Sequence, residues 1–559
     1  MKIDMHKAKA EGVDLVELRL DSLNTFNPFQ DINILIRHRL LPLLFTPKWE
    51  GGMYDGDENK RLDALRIAME LGADYIDVEL KVAPQFYDSI RGKTYNQTRV
   101  IVSSHNFELT PSTEDLGNLV ARIQATGADI VKIATTAVDI ADVARMFQIT
   151  VHSQVPLIGI VMGDRGLISR VLCAKFGGYL TFGTLESGVV SAPGQPSLKD
   201  LLHLYNFRAL APDTKVYGLI GKPVSQSKSP TLLNEAFKSV GFNGVYIILL
   251  VDDIANFLRT YSSTDFMGFS VTLPHKETAV KLCDEVDPVA KSIGAVNCII
   301  RRPTDGKLIG YNTDYVGAIS AIEDGLRGNH NGSSTTVSPL AGKLFVVIGA
   351  GGAGKAVAYG AKEKGARVVI ANRTYEFLSS NGIFYGPKFS FYVWITFKHQ
   401  YFRNNIVYGV VLLGPLTRMY RARELADAIG GEALPLADLD NFHSEDGMIL
   451  ANTSSIGMIP KVDETPISKH ALKHYSIVFD AVYTPKMTRL LKEAEEAGVT
   501  IVTGFEMFIG QAYGQFENFT GLPAQEVDLR VGLKGTTTDG HVVEDMQSKM
   551  RGKAHDPIA

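Results

Sequence analysis

Two residues on neighbouring predicted strands could carry out amine chemistry on a ketone. Lys132 lies within the apolar run Asp129–Ala134, and His105 follows the run Arg99–Ser103. A lysine among apolar neighbours is expected to have a lowered pKa, so that its amine can attack a carbonyl and form an iminium. The iminium acidifies the adjacent carbon, and a histidine beside it can accept that proton. Taken alone, His105 would be interpreted as a solvent-facing loop residue.

Charged side chains alternate with apolar ones on several of the short strands. Glu17 and Arg19 share one face of the strand Asp14–Leu20, and Glu79 lies on the strand Asp74–Leu80. Charges on strands covered on both faces are costly unless they pair or function. A structural ion pair would explain any single charged residue on these strands. Charges on several strands favour an active site at the mouth of a barrel.

The first 205 residues alternate short strands with helical stretches. This alternation implies parallel strands joined by crossover helices. A closed barrel needs eight strands, and only seven are found, so the first strand would be missing. The predicted strands are Asp14–Leu20, Leu41–Phe45, Asp74–Leu80, Arg99–Ser103, Asp129–Ala134, Val155–Val161 and Tyr179–Phe182.

Polar clusters follow short apolar runs between residues 214 and 325. Lys276, Asn297 and Asp314 each lie in such a cluster, and a serine-rich segment spans Lys222–Pro230. Each of them alone could be a turn or helix-cap residue. Because parallel strands open on one crevice at their carboxyl ends, the three clusters could converge on a polyol or carboxylate ligand.

A glycine-rich turn indicates dinucleotide binding. The apolar strand Lys343–Ile348 runs into Gly349–Gly354 and then a helix, which fits the pattern G-x-G-x-x-G. The next strand ends in Asn372-Arg373-Thr374, about 20 residues past the glycines. An acid at that place binds the ribose 2′-hydroxyl of NAD, whereas an arginine favours a 2′-phosphate, hence NADP.

Composition narrows the class of protein. The chain has 559 residues, a net charge of −4 and three cysteines. Its length suggests about three to four domains. The near-neutral charge argues against nucleic-acid binding, and three scattered cysteines argue against a disulfide framework or a metal site. We expect no membrane span, and we find no signal or transit peptide ahead of the first predicted helix.

Residues 1–205 resemble type I 3-dehydroquinate dehydratases. The matching strings are VELRLDSL (Val16–Leu23), SSHNFELTP (Ser103–Pro111), DIVKIATT (Asp129–Thr136), ISRV (Ile168–Val171) and SAPGQPS (Ser191–Ser197). The resemblance implies a (β/α)8-type barrel in which Lys132 forms the Schiff base, His105 is the general acid and base, and Arg170 pairs with the substrate carboxylate. The implied substrate-binding residues are Glu17, Arg19, Glu79, Met162, Arg170, Ser191 and Gln195.

The first half departs from that family at two places. The family's first strand is not found, and Thr46 stands where the family usually has an arginine, just before Pro47. An open barrel would leave strand edges unpaired. We therefore expect weak dehydratase activity from this half.

Residues 214–520 resemble shikimate dehydrogenases, and the order of the two halves is similar to that of plant bifunctional dehydratase–dehydrogenases. The resemblance implies an NADP-binding Rossmann domain, with Lys276 and Asp314 as the catalytic pair. Ser229 and Thr272 favour shikimate over quinate. The implied substrate ligands are Ser227, Ser229, Thr272, Asn297, Tyr483, Gln511 and Gln515. The implied cofactor ligands are Gly349, Gly351, Gly352, Ala353, Gly354, Asn372, Arg373, Thr374 and Met458.

The segment Phe377–Tyr420 is predicted to be an insertion. It holds twelve aromatic residues and no Asp or Glu in 44 positions. Joining Glu376 to Arg421 restores a helical pattern in which Ala422 and Leu425 fall on one face and Gly430 ends the helix. A retained intron or a functional loop would both explain it. We expect the insertion to weaken NADP binding by displacing the helix beside Arg373.

The expected organisation is α/β throughout: a barrel lacking its first strand, then a two-domain dehydrogenase. Predicted boundaries are 1–208 for the barrel, 214–330 for the substrate domain, 340–482 for the NADP domain, 483–522 for helices returning to the substrate domain, and 523–559 for an unassigned tail. We expect small-molecule substrates, no metal, no nucleic acid, no membrane and a monomer. The resemblance suggests the plastid; otherwise the sequence suggests the cytoplasm. The alternatives are a catalytically impaired or silent nucleotide-binding homologue and a quinate-preferring dehydrogenase.

Overall fold

The computed structural model describes residues 2–23, 27–36, 42–95, 97–185, 192–328, 337–373 and 421–530. Two compact units are formed: unit 1 comprises Met1–Asp287, Val296–Tyr311 and Ala512–Ala559, and unit 2 comprises Pro288–Ala295 and Asn312–Gln511. The predicted insertion 377–420 and the predicted ligands Ser191 and Thr374 lie outside the described residues. Within the described ranges, no helix is long and apolar enough to cross a membrane.

Unit 1 begins with a parallel sheet whose strand order follows the chain. Its strands are β1 (Leu18–Arg19), β2 (Pro42–Leu44), β3 (Tyr75–Glu79), β4 (Arg99–His105), β5 (Ile130–Thr136) and β6 (Leu157–Met162). The helices of this part are α1 (Lys2–Ala10), α2 (Pro28–Ile36), α3 (Glu58–Glu70), α4 (Ala83–Ser89), α5 (Thr113–Gln124), α6 (Asp142–His152) and α7 (Leu167–Val171).

The alternation of strands and helices predicted for this part is confirmed, with two differences. Tyr179–Phe182, predicted as the last strand, is not a strand; the N–H of Tyr179 donates to the carbonyl of Leu157 and no ladder follows among the described residues. The first predicted strand shrinks to Leu18–Arg19, because the chain turns into a 3-10 helix at Leu20. Strict alternation of side chains therefore ends at Arg19.

The second sheet of unit 1 has the strand order β10-β12-β11-β9-β7-β8. It is mixed, since β11 runs antiparallel to both β9 and β12. Its strands are β7 (Lys215–Gly221), β8 (Gly244–Leu250), β9 (Phe266–Val271), β10 (Glu285–Val286), β11 (Cys298–Arg301) and β12 (Leu308–Tyr311). The accompanying helices are α8 (Ser229–Ser239), α9 (Ile254–Thr260) and α10 (Lys276–Leu282).

Unit 2 is built on a parallel sheet of order β15-β14-β13-β16-β17-β18. The strands are β13 (Leu344–Ile348), β14 (Arg367–Asn372), β15 (Glu432–Pro435), β16 (Met448–Asn452), β17 (Tyr475–Asp480) and β18 (Thr500–Val502). The helices are α11 (Pro288–Ile293), α12 (Asp314–Arg327), α13 (Gly352–Glu363), α14 (Arg421–Ile429), α15 (Arg489–Glu496) and α16 (Gly504–Thr520), whose last residues belong to unit 1.

The unit 2 sheet is covered on both faces, which explains its continuous apolar strands. Phe345 and Val347 of β13 face one buried core, while Leu344, Val346 and Ile348 face another. Successive side chains of a strand point to opposite sides, so one apolar run serves both cores.

Helix α14 confirms the part of the predicted helical pattern that lies after the predicted insertion. It begins at Arg421, and Ala422, Leu425 and Ala426 are buried in the core beside α13 and β14. Gly430 follows the helix with a φ of +63°, which is the left-handed conformation typical of a helix C-terminus.

Candidate active sites

Lys132 and His105 lie on one face of the first sheet. The parallel register pairs Lys132 with Ser103 and Ala134 with His105 across β5 and β4. Residues two positions apart on a strand point to the same side, so the amine and the imidazole share this face. Met162 of β6 belongs to the buried apolar cluster that fills it. The prediction that Lys132 and His105 lie on adjacent strands is confirmed.

The amine of Lys132 is held as an ammonium. Lys132 is 5% exposed, and its Nζ donates to Oδ2 of Asp77 at 2.7 Å, with Oε2 of Glu17 3.7 Å away. The prediction of a lowered pKa is wrong. Burial lowers the pKa of Lys132, but the negative charges of Asp77 and Glu17 outweigh burial and raise it overall. The predicted nucleophile thus donates a hydrogen bond to a buried carboxylate.

Glu50 orients His105 and was not found from the sequence. Its Oε1 accepts the backbone N–H of His105 at 2.8 Å and lies 3.1 Å from Nδ1. Because a carboxylate only accepts, Nδ1 carries the proton and Nε2 is left as the basic nitrogen. Gly51 has a φ of +80°, and a Cβ on Gly52 would lie 1.9 Å from the carbonyl oxygen of Thr46. In the sequence, the pair Gly51-Gly52 directly after Glu50 was the pattern that could have indicated a tight turn carrying this carboxylate.

Arg170 presents an unsatisfied buried cation. It is 2% exposed on α7, and its Nε has no hydrogen-bond partner among the described residues. Burial lowers the pKa of Arg170 to about 10, and the charge of Glu17 opposes that shift. A buried N–H without a partner costs free energy, which a substrate carboxylate bound at Nε can recover. Gln195, another predicted ligand, is half-buried.

Two further predicted ligands of this site have protein partners. Both carboxylate oxygens of Glu79 are bound by the fully buried Arg61, at 3.1 and 2.6 Å. Arg19 binds both oxygens of Asp21, at 2.9 and 2.6 Å. Such bidentate pairs fix the strand ends on which the two residues lie. Substrate binding by Glu79 and Arg19 stays a prediction.

A second polar cluster forms where β9 ends beside the start of β11. The N–H of Val271 donates to the carbonyl of Asn297 at 2.8 Å, and Thr272 follows directly. Asn297 is 1% exposed. Nε2 of Gln515 donates to the same carbonyl at 3.2 Å, while its Oε1 accepts from Ser270. Thr272, Asn297 and Gln515, distant in sequence, are thereby brought together.

Ser227, Ser229 and Lys276, also predicted for this cluster, come after the carboxyl ends of the neighbouring strands β7 and β9. Oγ of Ser227 donates to Oγ of Ser229 at 3.1 Å just beyond β7, the neighbour of β9. Lys276 begins α10, and its carbonyl accepts the N–H of Val296 at 2.9 Å. Val296 precedes Asn297, so Lys276 is anchored beside the cluster.

In unit 2, three predicted residues are positioned by helix ends and ring stacking. Asp314 begins α12, is 4% exposed, and donates its N–H to Oδ1 of Asn312 at 3.0 Å. The ring of Tyr483 stacks on Phe508 with centroids 4.8 Å apart. Nε2 of Gln511 donates to the carbonyl of Phe508 at 2.9 Å. Phe508 therefore positions both Tyr483 and Gln511.

The glycine-rich turn has the geometry that a pyrophosphate requires. Gly349 has a φ of +104°, and a Cβ on Gly354 would lie 2.1 Å from the carbonyl oxygen of Gly349. A Cβ on Gly351 would meet nothing within 4 Å. Gly349 thus allows the tight turn, Gly354 allows the helix to pack closely on it, and Gly351 leaves room for a phosphate to approach. Gly352 and Ala353 begin α13. These residues fit a dinucleotide.

The predicted ligands for the rest of the cofactor lie after neighbouring strands. Asn372 ends β14 and the exposed Arg373 follows it. An exposed arginine at this strand end suits a ribose 2′-phosphate. Met458 is half-buried in a turn beyond β16, where its N–H donates to the carbonyl of Ser455 at 3.3 Å.

A buried carboxyl, Asp480, joins two of these strand ends and was also missed by the sequence. Its Oδ1 accepts from Nδ2 of Asn452 and the N–H of Val482, both at 3.0 Å. Its Oδ2 accepts from Oγ1 of Thr488 at 2.7 Å. Burial raises the pKa of Asp480 to about 6. The network holds the end of β16 to the segment that carries Tyr483.

Among the residues that the structure describes, no group of three or more His, Cys, Asp or Glu could hold a metal ion. The described parts of both clusters present lysine, histidine, carboxylate and guanidinium groups, which are able to act as nucleophiles, bases and anion ligands.

Two family models match the chain. The type I 3-dehydroquinase model matches residues 1–212. The model for the substrate-binding domain of shikimate dehydrogenase matches residues 219–299.

Individual relatives span one or both halves. A chloroplastic bifunctional 3-dehydroquinate dehydratase/shikimate dehydrogenase of Arabidopsis thaliana is 64% identical over 528 residues, covering 94% of this chain and 80% of that protein. A shikimate dehydrogenase (NADP(+)) of Syntrophobacter fumaroxidans is 31% identical over 57% of this chain and 92% of its own length. The structure of a Thermus thermophilus shikimate 5-dehydrogenase with NADP(H) and shikimate is 27% identical, with a TM-score of 0.42, covering 57% of this chain and 99% of that chain.

The two sites above lie in the segments that those matches cover. The Lys132–His105 face falls in the segment matched to the dehydratase model, and the Thr272–Asn297 cluster falls in the segment matched to the substrate-binding domain. The chain belongs to the family of bifunctional 3-dehydroquinate dehydratase/shikimate dehydrogenases.

Proposed function

We propose that the chain dehydrates 3-dehydroquinate to 3-dehydroshikimate and then reduces that product to shikimate with NADPH. The observation that carries this proposal is the shared face of Lys132 and His105, with Glu50 fixing the imidazole. The Lys132 amine, once it has lost a proton, attacks the ketone carbon, and water leaves as the imine forms. Nε2 of His105 removes the proton from the adjacent carbon, the substrate hydroxyl leaves as water, and imine hydrolysis releases the product.

The second reaction is supported by the glycine-rich turn and by the polar cluster at the end of β9. Thr272 and Asn297 would bind substrate hydroxyls, and Arg373 would hold the 2′-phosphate of NADP. When bound, NADPH supplies the hydride. Lys276 would donate a proton to the carbonyl oxygen, and the resemblance assigns Asp314 as its catalytic partner.

The direct test is reductive trapping of the imine. Because this half is expected to be a weak dehydratase, trapping should be slow, but borohydride added with 3-dehydroquinate should leave the reduced ligand attached to Lys132, as located by mass spectrometry of peptides. The Lys132→Ala variant should show no adduct and should still reduce 3-dehydroshikimate. A wild-type chain without an adduct at saturating ligand would contradict the proposed dehydratase step.

We also infer that the chain acts as a monomer in the plastid. The resemblance to the chloroplastic relative supports the compartment. Sedimentation equilibrium should give the mass of one chain, and fractionation of plant cells should recover the protein with chloroplasts. A stable dimer or a cytosolic protein would overturn the corresponding statement.

A further inference from the structure

Asp252 joins two active-site loops by one ion pair on each of its carboxylate oxygens. Nε of Arg165 lies 2.6 Å from Oδ2, and Nζ of Lys222 lies 2.5 Å from Oδ1. Hydrogen bonds from Arg165 and Lys222 lower the pKa of Asp252 to about 2, so it is charged at neutral pH. We propose that Asp252 is a positioning residue for both reactions of this chain. This inference rests on the proposed function.

Arg165 lies on a short turn that connects two predicted ligands of the dehydratase site. The turn leaves β6 after Met162 and enters α7, which carries Arg170. A Cβ on Gly166 would lie 2.0 Å from the carbonyl oxygen of Val161, so the turn packs directly on the end of β6. A displacement of Arg165 is therefore transmitted to the strand end and to the helix behind it.

The same turn also contacts the segment that ends in Gln195. The N–H of Gly163 donates to the carbonyl of Pro193 at 3.0 Å. A Cβ on Gly194 would lie 2.2 Å from the carbonyl oxygen of Gly163, so the two backbones touch. The position of the turn thus also sets the position of Gln195, a predicted substrate ligand.

Lys222 begins the loop that carries two predicted ligands of the dehydrogenase site. It directly follows β7; Ser227 lies farther along the loop, and Ser229 begins α8 at its end. The N–H of Lys222 donates to the carbonyl of Leu273 at 3.0 Å. Leu273 follows Thr272, so the backbone at Lys222 is tied to a third predicted ligand.

The segment that carries Asp252 contacts the catalytic lysine's neighbour. The carbonyl of Val251 lies 2.9 Å from Nε2 of His275, the residue before Lys276. The N–H of Val251 donates to the carbonyl of Gly221 at 3.2 Å. The backbone next to Asp252 is thus hydrogen-bonded to the dehydrogenase loops. The carboxylate of Asp252 links this backbone to Arg165.

A second ion pair joins the same two parts of unit 1 away from the Thr272–Asn297 cluster and provides a matched control. Nζ of Lys175 lies 2.7 Å from Oδ1 of Asp265 and donates to the carbonyl of Pro212 at 2.7 Å. Asp265 precedes β9, at the end opposite Thr272. The six residues of β9 lie between them, and the seven residue steps span about 23 Å at about 3.3 Å per residue.

The test compares the steady-state kinetics of four variants of the full chain. Asp252→Asn should raise the KM of both reactions about threefold, the scale of a part-exposed ion pair, with kcat nearly unchanged. Arg165→Gln should raise only the dehydratase KM, and Lys222→Gln only the dehydrogenase KM. Asp265→Asn should lower the melting temperature and leave both KM values unchanged.

The outcomes separate this inference from the proposed function. A wild-type chain lacking either activity overturns both. An active wild type together with unchanged KM values in Asp252→Asn overturns the inference alone. If Asp252→Asn does not fold, the single cation variants decide: selective effects support the positioning role, and equal effects on both reactions, or none, contradict it.

Discussion

Nζ of Lys132 and Oδ2 of Asp77 lie 2.7 Å apart, and both side chains are buried. The pair has two consequences for the proposed dehydratase. It stabilises the ammonium form before substrate arrives, and it places a proton acceptor in contact with the nucleophile. A buried ion pair of this kind is weak evidence for stability, because desolvation offsets much of the attraction. Its functional effect is to raise the pKa of Lys132, so that the amine keeps its proton.

Asp77→Asn should shift imine formation to lower pH. The substitution removes the nearer of the two negative charges that raise the pKa of Lys132, so the neutral amine should be populated at lower pH. The measurement is the rate of borohydride trapping as a function of pH. Glu17→Gln is the matched control and should shift the profile less, since Glu17 lies 3.7 Å from Nζ. Identical profiles in Asp77→Asn and wild type would refute this role.

Glu50→Gln should lower the dehydratase kcat while leaving Lys132 able to form the imine. The carboxylate fixes the Nδ1–H tautomer of His105 and stabilises the imidazolium that forms in proton transfer. We expect a loss of about tenfold or more, which is a part of the about 10²–10⁴ that a general base contributes in full. His105→Gln should lose more. Wild-type kcat in Glu50→Gln would show that the hydrogen bond has no catalytic effect.

Thr46→Arg should strengthen binding of 3-dehydroquinate. The resemblance implies that Thr46 stands where the family usually has an arginine, and Thr46 lies in the turn that holds Glu50. A charge-assisted hydrogen bond adds about 1.5–3 kcal/mol, so the dehydratase KM should fall about tenfold or more. Thr46→Met supplies similar bulk without charge and should not lower KM. The dehydrogenase KM should stay the same in both variants, and a KM unaltered by arginine would argue against a ligand role at this position.

Asp480→Asn should change the pH dependence of stability. Burial raises the pKa of Asp480 from 3.8 to about 6, so between these values the native state binds more protons than the unfolded state. The free energy of unfolding therefore decreases as pH rises from about 4 to about 6, by up to about 3 kcal/mol. In Asp480→Asn this decrease should disappear in urea titrations across that pH range. If the free energy of unfolding of Asp480→Asn still decreased over this pH range, another group would be the cause of the decrease.

Deleting Phe377–Tyr420 should tighten NADP binding. The remaining chain would join the strand end at Arg373 to helix α14, whose buried face already packs beside α13 and β14. The measurement is the dissociation constant of NADP for the deletion variant and the full chain, with the dehydratase KM as the control that should not change. Equal or weaker binding by the deletion variant would contradict the expectation.

The sequence predicted best what is local or follows chain order. The turn Gly349–Gly354 and the strand before it are contiguous, so their pattern determines their geometry. Lys132 and His105 could be placed together because strand order in the first sheet follows the chain. The apolar spacing of Ala422 and Leu425 likewise predicted the buried face of α14.

The sequence predicted poorly what depends on contacts between distant residues. Glu50 and His105 are separated by 55 positions, as are Asp77 and Lys132. Strand periodicity places such charges on a face but does not identify their partners. The expected pKa of Lys132 was wrong for this reason, because it counted burial and omitted the carboxylates. Tyr179 illustrates the related limit, since apolar residues resemble a strand even where the described part of the chain shows no ladder.

The central claim is that this one chain carries out both reactions. Purified chain should be incubated with 3-dehydroquinate and NADPH, and NADPH oxidation and shikimate should be quantified together. We expect one NADPH to be oxidised and one shikimate to be formed per 3-dehydroquinate consumed. Lys132→Ala should abolish this consumption and recover it when 3-dehydroshikimate replaces 3-dehydroquinate, whereas Lys276→Ala should abolish it with either substrate. No NADPH oxidation by the wild-type chain, or equal oxidation in Lys132→Ala with 3-dehydroquinate, would contradict the account.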